Sequence, residues 1–189
     1  MRSPDPSSHR TVLVVCFGNL CRSPVAEALF RAALPREGWR VVSAGTHAIG
    51  DDPPTAGARE ALLRHAGIDI AQQRSKPLTV DLLRDADFVF TMSRRQALEA
   101  AALYPGAARM TRLLGAFAPA EEHGDGPADP GGRSADAHEI ADPMGGNAAV
   151  YTTCCKRVDE CVAKVTAWLL SGAEPEDAPP SVAAWTERP

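Results

Sequence analysis

No apolar run in this chain approaches the roughly 18 residues that a membrane-spanning helix needs, so the sequence excludes a helical membrane protein. The first residues hold no hydrophobic signal segment. An excess of positive charge is missing too: the net charge is −4, and nothing favours a nucleic acid as partner. The five histidines are scattered at positions 9, 47, 65, 123 and 138. The cysteines match no ligand spacing, so neither a metal nor another cofactor is expected. No internal repeat is evident. Five cysteines, an odd number, without an export signal set the expectation of reduced thiols in the cytoplasm.

What is present suffices for one enzyme-sized core. Apolar residues make up 44% of the 189 positions, and a single domain with tails is the natural count at this length. The domain is expected over residues 11–171, between unstructured tails at 1–10 and 172–189, the latter rich in proline. A monomer is expected.

The informative stretch is Val14-Val15-Cys16-Phe17-Gly18-Asn19-Leu20-Cys21-Arg22-Ser23-Pro24. An apolar, mostly β-branched run ends at Cys16. A short loop follows, then helix-forming residues from Val25 to Leu34. A strand, loop and helix in this order aim backbone N–H groups and a helix dipole into one concavity, which suits a tetrahedral dianion. The loop opens with a thiol and closes with a guanidinium. A helix N-terminus beside arginine favours the thiolate, so Cys16 is expected to be a nucleophile. Arg22 would clamp equatorial oxygens in the ground and transition states. Ser23 is placed to hydrogen-bond the sulfur. Pro24 fits a first helical turn. Gly18 is expected to supply dihedrals forbidden to other residues, while Asn19 tolerates left-handed backbone and braces the loop. That is the layout of a cysteine-dependent phosphatase. A bare Cys-x5-Arg pattern is common, but here nine positions of Cys-x-Gly-Asn-x-Cys-Arg-Ser-Pro-x-Ala-Glu are fixed. Each matches by chance at roughly one in twenty, and nine together are not coincidence.

The frame resembles the signature loop of the low-molecular-weight protein tyrosine phosphatase family, and the likeness runs from about Thr11 to Ser171. It includes Val41 to Thr46 and Asp85 to Met92, which read as strands, and Asp142-Pro143. The resemblance implies an α/β fold: a four-stranded parallel sheet, doubly wound with helices on both faces, its signature loop between the first strand and first helix. It also implies a phosphorylated protein as substrate, inorganic phosphate as product and a general acid in a late Asp-Pro loop. One carboxyl group can protonate the leaving oxygen and later deprotonate water. The chain offers Asp129-Pro130 and Asp142-Pro143. Asp142 is preferred because it lies shortly before Tyr151 and the last long helix, whereas Asp129 sits in a stretch rich in Gly, Pro, Asp and Ala.

Phe17, Gly18, Asn19, Leu20, Cys21 and Ser23 are expected to line the substrate pocket, with Met144 as a flexible wall. Substrate cues conflict. Bulky Leu20 resembles the phosphotyrosine branch of the family. The Gly145-Gly146 pair and Ser75-Lys76-Pro77-Leu78-Thr79 resemble the bacterial protein-arginine phosphatases. Because Leu20 would line the pocket itself, phosphotyrosine is preferred and phosphoarginine is the alternative. An arsenate reductase would need relay cysteines, and none lies between Cys21 and Cys154. A non-catalytic phosphate-binding module would lack the nucleophile or the acid. Cys21 lies close enough to Cys16 for a reversible disulfide.

Elsewhere, Thr55 to Ala66 reads as a helix stopped by Gly67, Thr79 caps a short helix, and Ser93 caps another from Arg94 to Leu103. Met110 to Leu114 is a candidate fourth strand. The stretch from Ala116 to Ala141 is expected to form an irregular rim. Val150, Cys154, Val158, Cys161, Val165 and Trp168 fall at helical spacing, which places Cys154 and Cys161 in the core.

Overall fold

The apolar run becomes β1 (Arg10–Cys16), and its alternate side chains enter two different cores. Val12, Val14 and Cys16 face one side of the sheet, while Leu13 and Val15 face the other. Burial on both faces explains why the run is continuously apolar rather than alternating. The computed structural model describes residues 9–119, 138–172 and 177–186. Most of the rim expected over 116–141, including the alternative acid Asp129, lies outside the described residues, as do 1–8, 173–176 and 187–189.

After β1 come α1 (Arg22–Ala33), β2 (Trp39–Gly45), α2 (Ala56–Ala66), α3 (Val80–Arg84), β3 (Phe88–Thr91), α4 (Arg94–Leu103), β4 (Thr111–Leu113) and α5 (Ala148–Ser171). A last short helix, α6, spans Ala183–Thr186. The strands form one parallel sheet in the order β2-β1-β3-β4. Helices α1, α2 and α5 share a core on one face, around Phe30, Leu62, Phe90 and Val158. Helices α3 and α4 cover the other face, around Leu83, Val89 and Ala100. The doubly wound, four-stranded expectation is met. The chain turns to opposite sides after β1, so a crevice opens at the carboxyl ends of β1 and β3.

The expected caps Thr79 and Ser93 accept from the Leu82 and Gln96 amides, and Gly67 is left-handed with φ 70°. Thr55, expected as the first helical residue, instead caps α2 by accepting from the Ala58 amide. Asn147 caps α5 by accepting from the Ala149 and Val150 amides.

Two expectations need correction. In α5 the buried stripe runs through Tyr151, Cys155, Val158, Cys161 and Val165, so Cys155 rather than Cys154 enters the core. Cys154 is half-buried and turns towards the acid loop, its thiol 3.8 Å from the Ala141 carbonyl. Adjacent helical positions point about 100° apart, and spacing alone cannot choose between them. The second concerns the C-terminal tail. Residues 177–186 pack on the body: Val182 is fully buried, and its N–H donates to the Thr111 carbonyl of edge strand β4 at 3.0 Å. No helix among the described residues is long and apolar enough to cross a membrane.

Candidate active site

Cys16 ends β1 with 2% of its surface exposed, paired in register with Gly45 of β2. The Asn19 amide donates to its sulfur at 3.2 Å, and the Ser23 hydroxyl lies 2.9 Å from the same atom. Asn19 is left-handed, φ 56°, and its side chain ties the loop to three elements. Nδ2 donates to the hydroxyls of Ser23 and Ser43, both at 2.8 Å, while Oδ1 accepts from the Lys76 amide at 2.9 Å. The Lys76 contact fixes which side-chain atom is oxygen. Ser43 in turn donates to the buried carboxylate of Glu27, which pairs with Arg31 at 2.6 Å.

That chain of contacts sets the direction of the Ser23 proton. An amide NH2 can only donate, so the Ser23 oxygen accepts from Asn19 and its proton is free to point at sulfur. The competing acceptor, the Ala44 carbonyl, is farther away at 3.4 Å. A hydrogen bond to a thiolate favours the anion.

Gly18 does not take a positive φ, contrary to expectation: the left-handed residue of the loop is Asn19. A Cβ on Gly18 would meet only the Leu20 side chain, at 3.6 Å. The glycine that the loop requires is Gly45. A Cβ there would sit 2.6 Å from the Phe17 carbonyl oxygen and 2.8 Å from the Asn19 nitrogen.

Arg22 is 5% exposed at the start of α1. Its Nη1 donates to the Ile140 carbonyl at 2.9 Å, and its Nη2 to the Asp142 carboxylate. Its Nε is buried without a hydrogen-bond partner among the described residues. No side chain caps α1. A buried guanidinium N–H with nothing to bind, beside an uncapped helix N-terminus, fits an oxyanion.

Asp142 is held by its own loop. The Met144 amide donates to its Oδ1 at 3.2 Å, and the Gly146 amide closes a turn on the Pro143 carbonyl at 2.9 Å. Gly145 has φ 80°, the value the third position of a type II turn demands. A Cβ on Gly146 would lie 2.8 Å from the Val150 side chain. The Gly-Gly pair therefore has a backbone requirement of its own in this turn.

A cavity of about 240 Å³ opens over Cys16, lined among others by Phe17, Leu20, Ile49, Asp52, Asp142 and Met144. Phe17 stacks on His47 with ring centroids 4.4 Å apart. A larger groove, about 550 Å³, lies near Trp39 and Arg40 at the other end of β2 and holds no nucleophile. Cys21 is buried, 3.3 Å from the Thr55 hydroxyl. Burial pushes its thiol above the usual range, and likewise pushes Cys154 up to about 12 and Cys155 up to about 11. These three stay protonated near neutrality. The Cys16–Cys21 disulfide is not formed; both thiols are free.

The structure thus brings Cys16, Phe17, Gly18, Leu20, Cys21, Arg22, Asp142 and Met144 to one cavity, with Asn19 and Ser23 directly behind the Cys16 sulfur. Sequence reasoning missed Glu27, Ser43, Gly45 and Thr55. The available signal was polarity out of place: Ser43 interrupts the run Val41-Val42-Ser43-Ala44, and Glu27 interrupts the apolar face of α1.

A family model, low molecular weight phosphotyrosine protein phosphatase, matches residues 11–172. The chain belongs to that family. Among its relatives, the low molecular weight protein-tyrosine-phosphatase Etp of Escherichia coli (strain K12) is 33% identical over 129 residues, 68% of this chain and 82% of Etp. The probable family member EpsP of Ralstonia solanacearum is 45% identical over 96 residues, 51% of this chain; the match spans 64% of EpsP, less than two thirds of its length. Among solved structures, the YwlE arginine phosphatase from Geobacillus stearothermophilus has a TM-score of 0.70 and 28% identity. That match covers 86% of this chain and 94% of YwlE. Both substrate branches weighed from the sequence are thus represented among similar proteins.

Proposed function

We propose that this phosphatase-family chain hydrolyses phosphotyrosine in proteins through a cysteinyl-phosphate intermediate. The observation that carries this reading is the pairing of a buried sulfur, held by Asn19 and Ser23, with Arg22 and Asp142 across one small cavity.

The incoming phosphate dianion competes with Asp142 for the guanidinium of Arg22, and the free Nε adds a donor. The Cys16 thiolate attacks phosphorus, forming the S–P bond as the bond to the tyrosyl oxygen breaks. Asp142 passes a proton to that oxygen. Water then attacks the cysteinyl-phosphate while Asp142 takes its proton; the S–P bond breaks, releasing phosphate and the thiolate. Arg22 and the loop amides hold the spread negative charge in both transition states.

Aryl specificity is supported by the mouth of the cavity. Phe17, Ile49 and Met144 are 42%, 95% and 51% exposed, an apolar rim that suits a phenyl ring more than a guanidinium. Leu20 narrows the wall below. The five free thiols fit a reducing compartment, and we read the chain as a cytoplasmic monomer with one domain, the expected 11–171 together with residues 177–186 that pack on it. The apolar side chains at the cavity mouth serve the substrate in this reading rather than a second copy.

The test is phosphate release from phosphotyrosine and phosphoarginine peptides side by side, with Cys16→Ser as blank. Preference for phosphotyrosine that falls in Leu20→Thr supports the assignment. Preference of the native chain for phosphoarginine replaces it with the alternative, and release from neither removes the enzymatic reading.

A further inference from the structure

The family match ends at residue 172, yet the chain beyond it returns to the β4 edge of the sheet and to the first residue of α4. Val182 is buried against β4, Arg112 Nε donates to the Pro179 carbonyl at 3.0 Å, and the Arg94 guanidinium sits 4.6 Å from the centre of the Trp185 ring. Arg94 is the first residue of α4. Its backbone N–H donates to the Glu139 carboxylate at 2.7 Å. One residue on, the Ile140 amide donates to the Met92 carbonyl at 2.9 Å, and the Ile140 carbonyl accepts from Arg22. Asp142 follows two residues later.

We propose that residues 177–186 form a clamp that acts on the acid loop through Arg94, with Glu139 as a positioning residue for Asp142. The inference rests on Asp142 being the general acid. A carboxylate at a helix N-terminus satisfies an orphan N–H and meets the positive end of the dipole, so Glu139 anchors the loop to α4. Trp185 covers Arg94 and restrains the start of that helix by a cation–π contact. Met92 supplies the second anchor, through backbone alone. Removing Glu139 takes away the side-chain tie between this loop and α4 while Met92 and Arg22 still hold Ile140. This should loosen the aim of Asp142 without disturbing Cys16, whose sulfur is held by Asn19 of the signature loop and Ser23 of α1.

The leaving-group dependence of kcat/KM reads this directly, because p-nitrophenolate departs with little help while phenolate needs a proton. Glu139→Ala should lose about tenfold on phenyl phosphate and about twofold or less on p-nitrophenyl phosphate, as expected when a catalytic group is misaimed rather than removed. Glu139→Gln, which keeps an acceptor oxygen, should recover most of the loss. Trp185→Ala should move the same ratio in the same direction by a smaller factor. Equal slowing of both substrates by Glu139→Ala, or an unchanged ratio in Trp185→Ala, overturns the clamp. Asp142→Asn is run alongside. If it fails to penalise phenyl phosphate selectively, the acid assignment itself falls; if it does so while Glu139→Ala does not, only the clamp falls.

Discussion

Asn19 donates to the Ser23 hydroxyl at 2.8 Å, and that bond leaves the Ser23 proton free for the Cys16 sulfur 2.9 Å away. In the proposed mechanism the thiolate leaves phosphorus in the second chemical step, so this contact matters most there. Ser23→Ala should slow breakdown of the intermediate by about tenfold or more, the worth of one hydrogen bond to a charged group. Rapid mixing with p-nitrophenyl phosphate should then show a burst of nitrophenol larger than in the native protein. Native-like turnover with no added burst would remove Ser23 from the mechanism.

Cys16→Ser should abolish turnover while phosphate or vanadate still binds, because Arg22 and the loop amides remain. Arg22→Ala should lose both turnover and binding, since the cavity then lacks its buried cation and Asp142 is left beside the anion. Calorimetric titration with phosphate separates the two variants. Equal binding by both would mean that Arg22 does not hold the anion.

Gly45→Ala tests the close approach of β2 to the loop. The added methyl would meet the Phe17 carbonyl and the Asn19 nitrogen, both backbone atoms that cannot swing aside. Overpacking of this kind costs about 1–3 kcal/mol, and the displaced loop should also lose most of its kcat/KM. A folded variant with native activity would show that the approach is not required.

Burial raises the thiols of Cys155 and Cys154 from about 9 to about 11 and about 12. Folding therefore favours their protonated forms. Their contribution is complete below pH 9 and is lost as pH climbs through 11 and 12. Urea midpoints should fall between pH 8 and pH 11, and part of that slope should disappear in Cys154→Ala/Cys155→Ala. A slope identical in the double variant would assign the pH dependence to other groups, Cys21 and Tyr151 among them.

Legibility followed contiguity. Cys16, Asn19, Arg22 and Ser23 lie within one strand–loop–helix, so residue type and spacing alone placed them. Asp142 was legible once that loop was, through its position before Tyr151 and α5. Glu27, Ser43 and Lys76 act from α1, β2 and a connecting segment. The parallel pairing of β1 with β2 brings Ser43 to Asn19 and Glu27, and the bridge of that segment to Gly45 brings Lys76. Glycine chemistry misled at Gly18, where the left-handed turn fell to Asn19, while at Gly145-Gly146 the turn itself requires a glycine. The C-terminal segment looked unstructured because its own composition forms no core; the edge of β4 and the side chain of Arg94 supply its partners.

The covalent intermediate is the central claim, and acid quenching during turnover of a phosphotyrosine peptide tests it most directly. Mass spectrometry of the digested protein should find one phosphoryl group on the peptide bearing Cys16, accumulating further in Ser23→Ala and absent in Cys16→Ser. Turnover of the peptide with Cys16 never phosphorylated, or with the phosphoryl group on another residue, would contradict the mechanism.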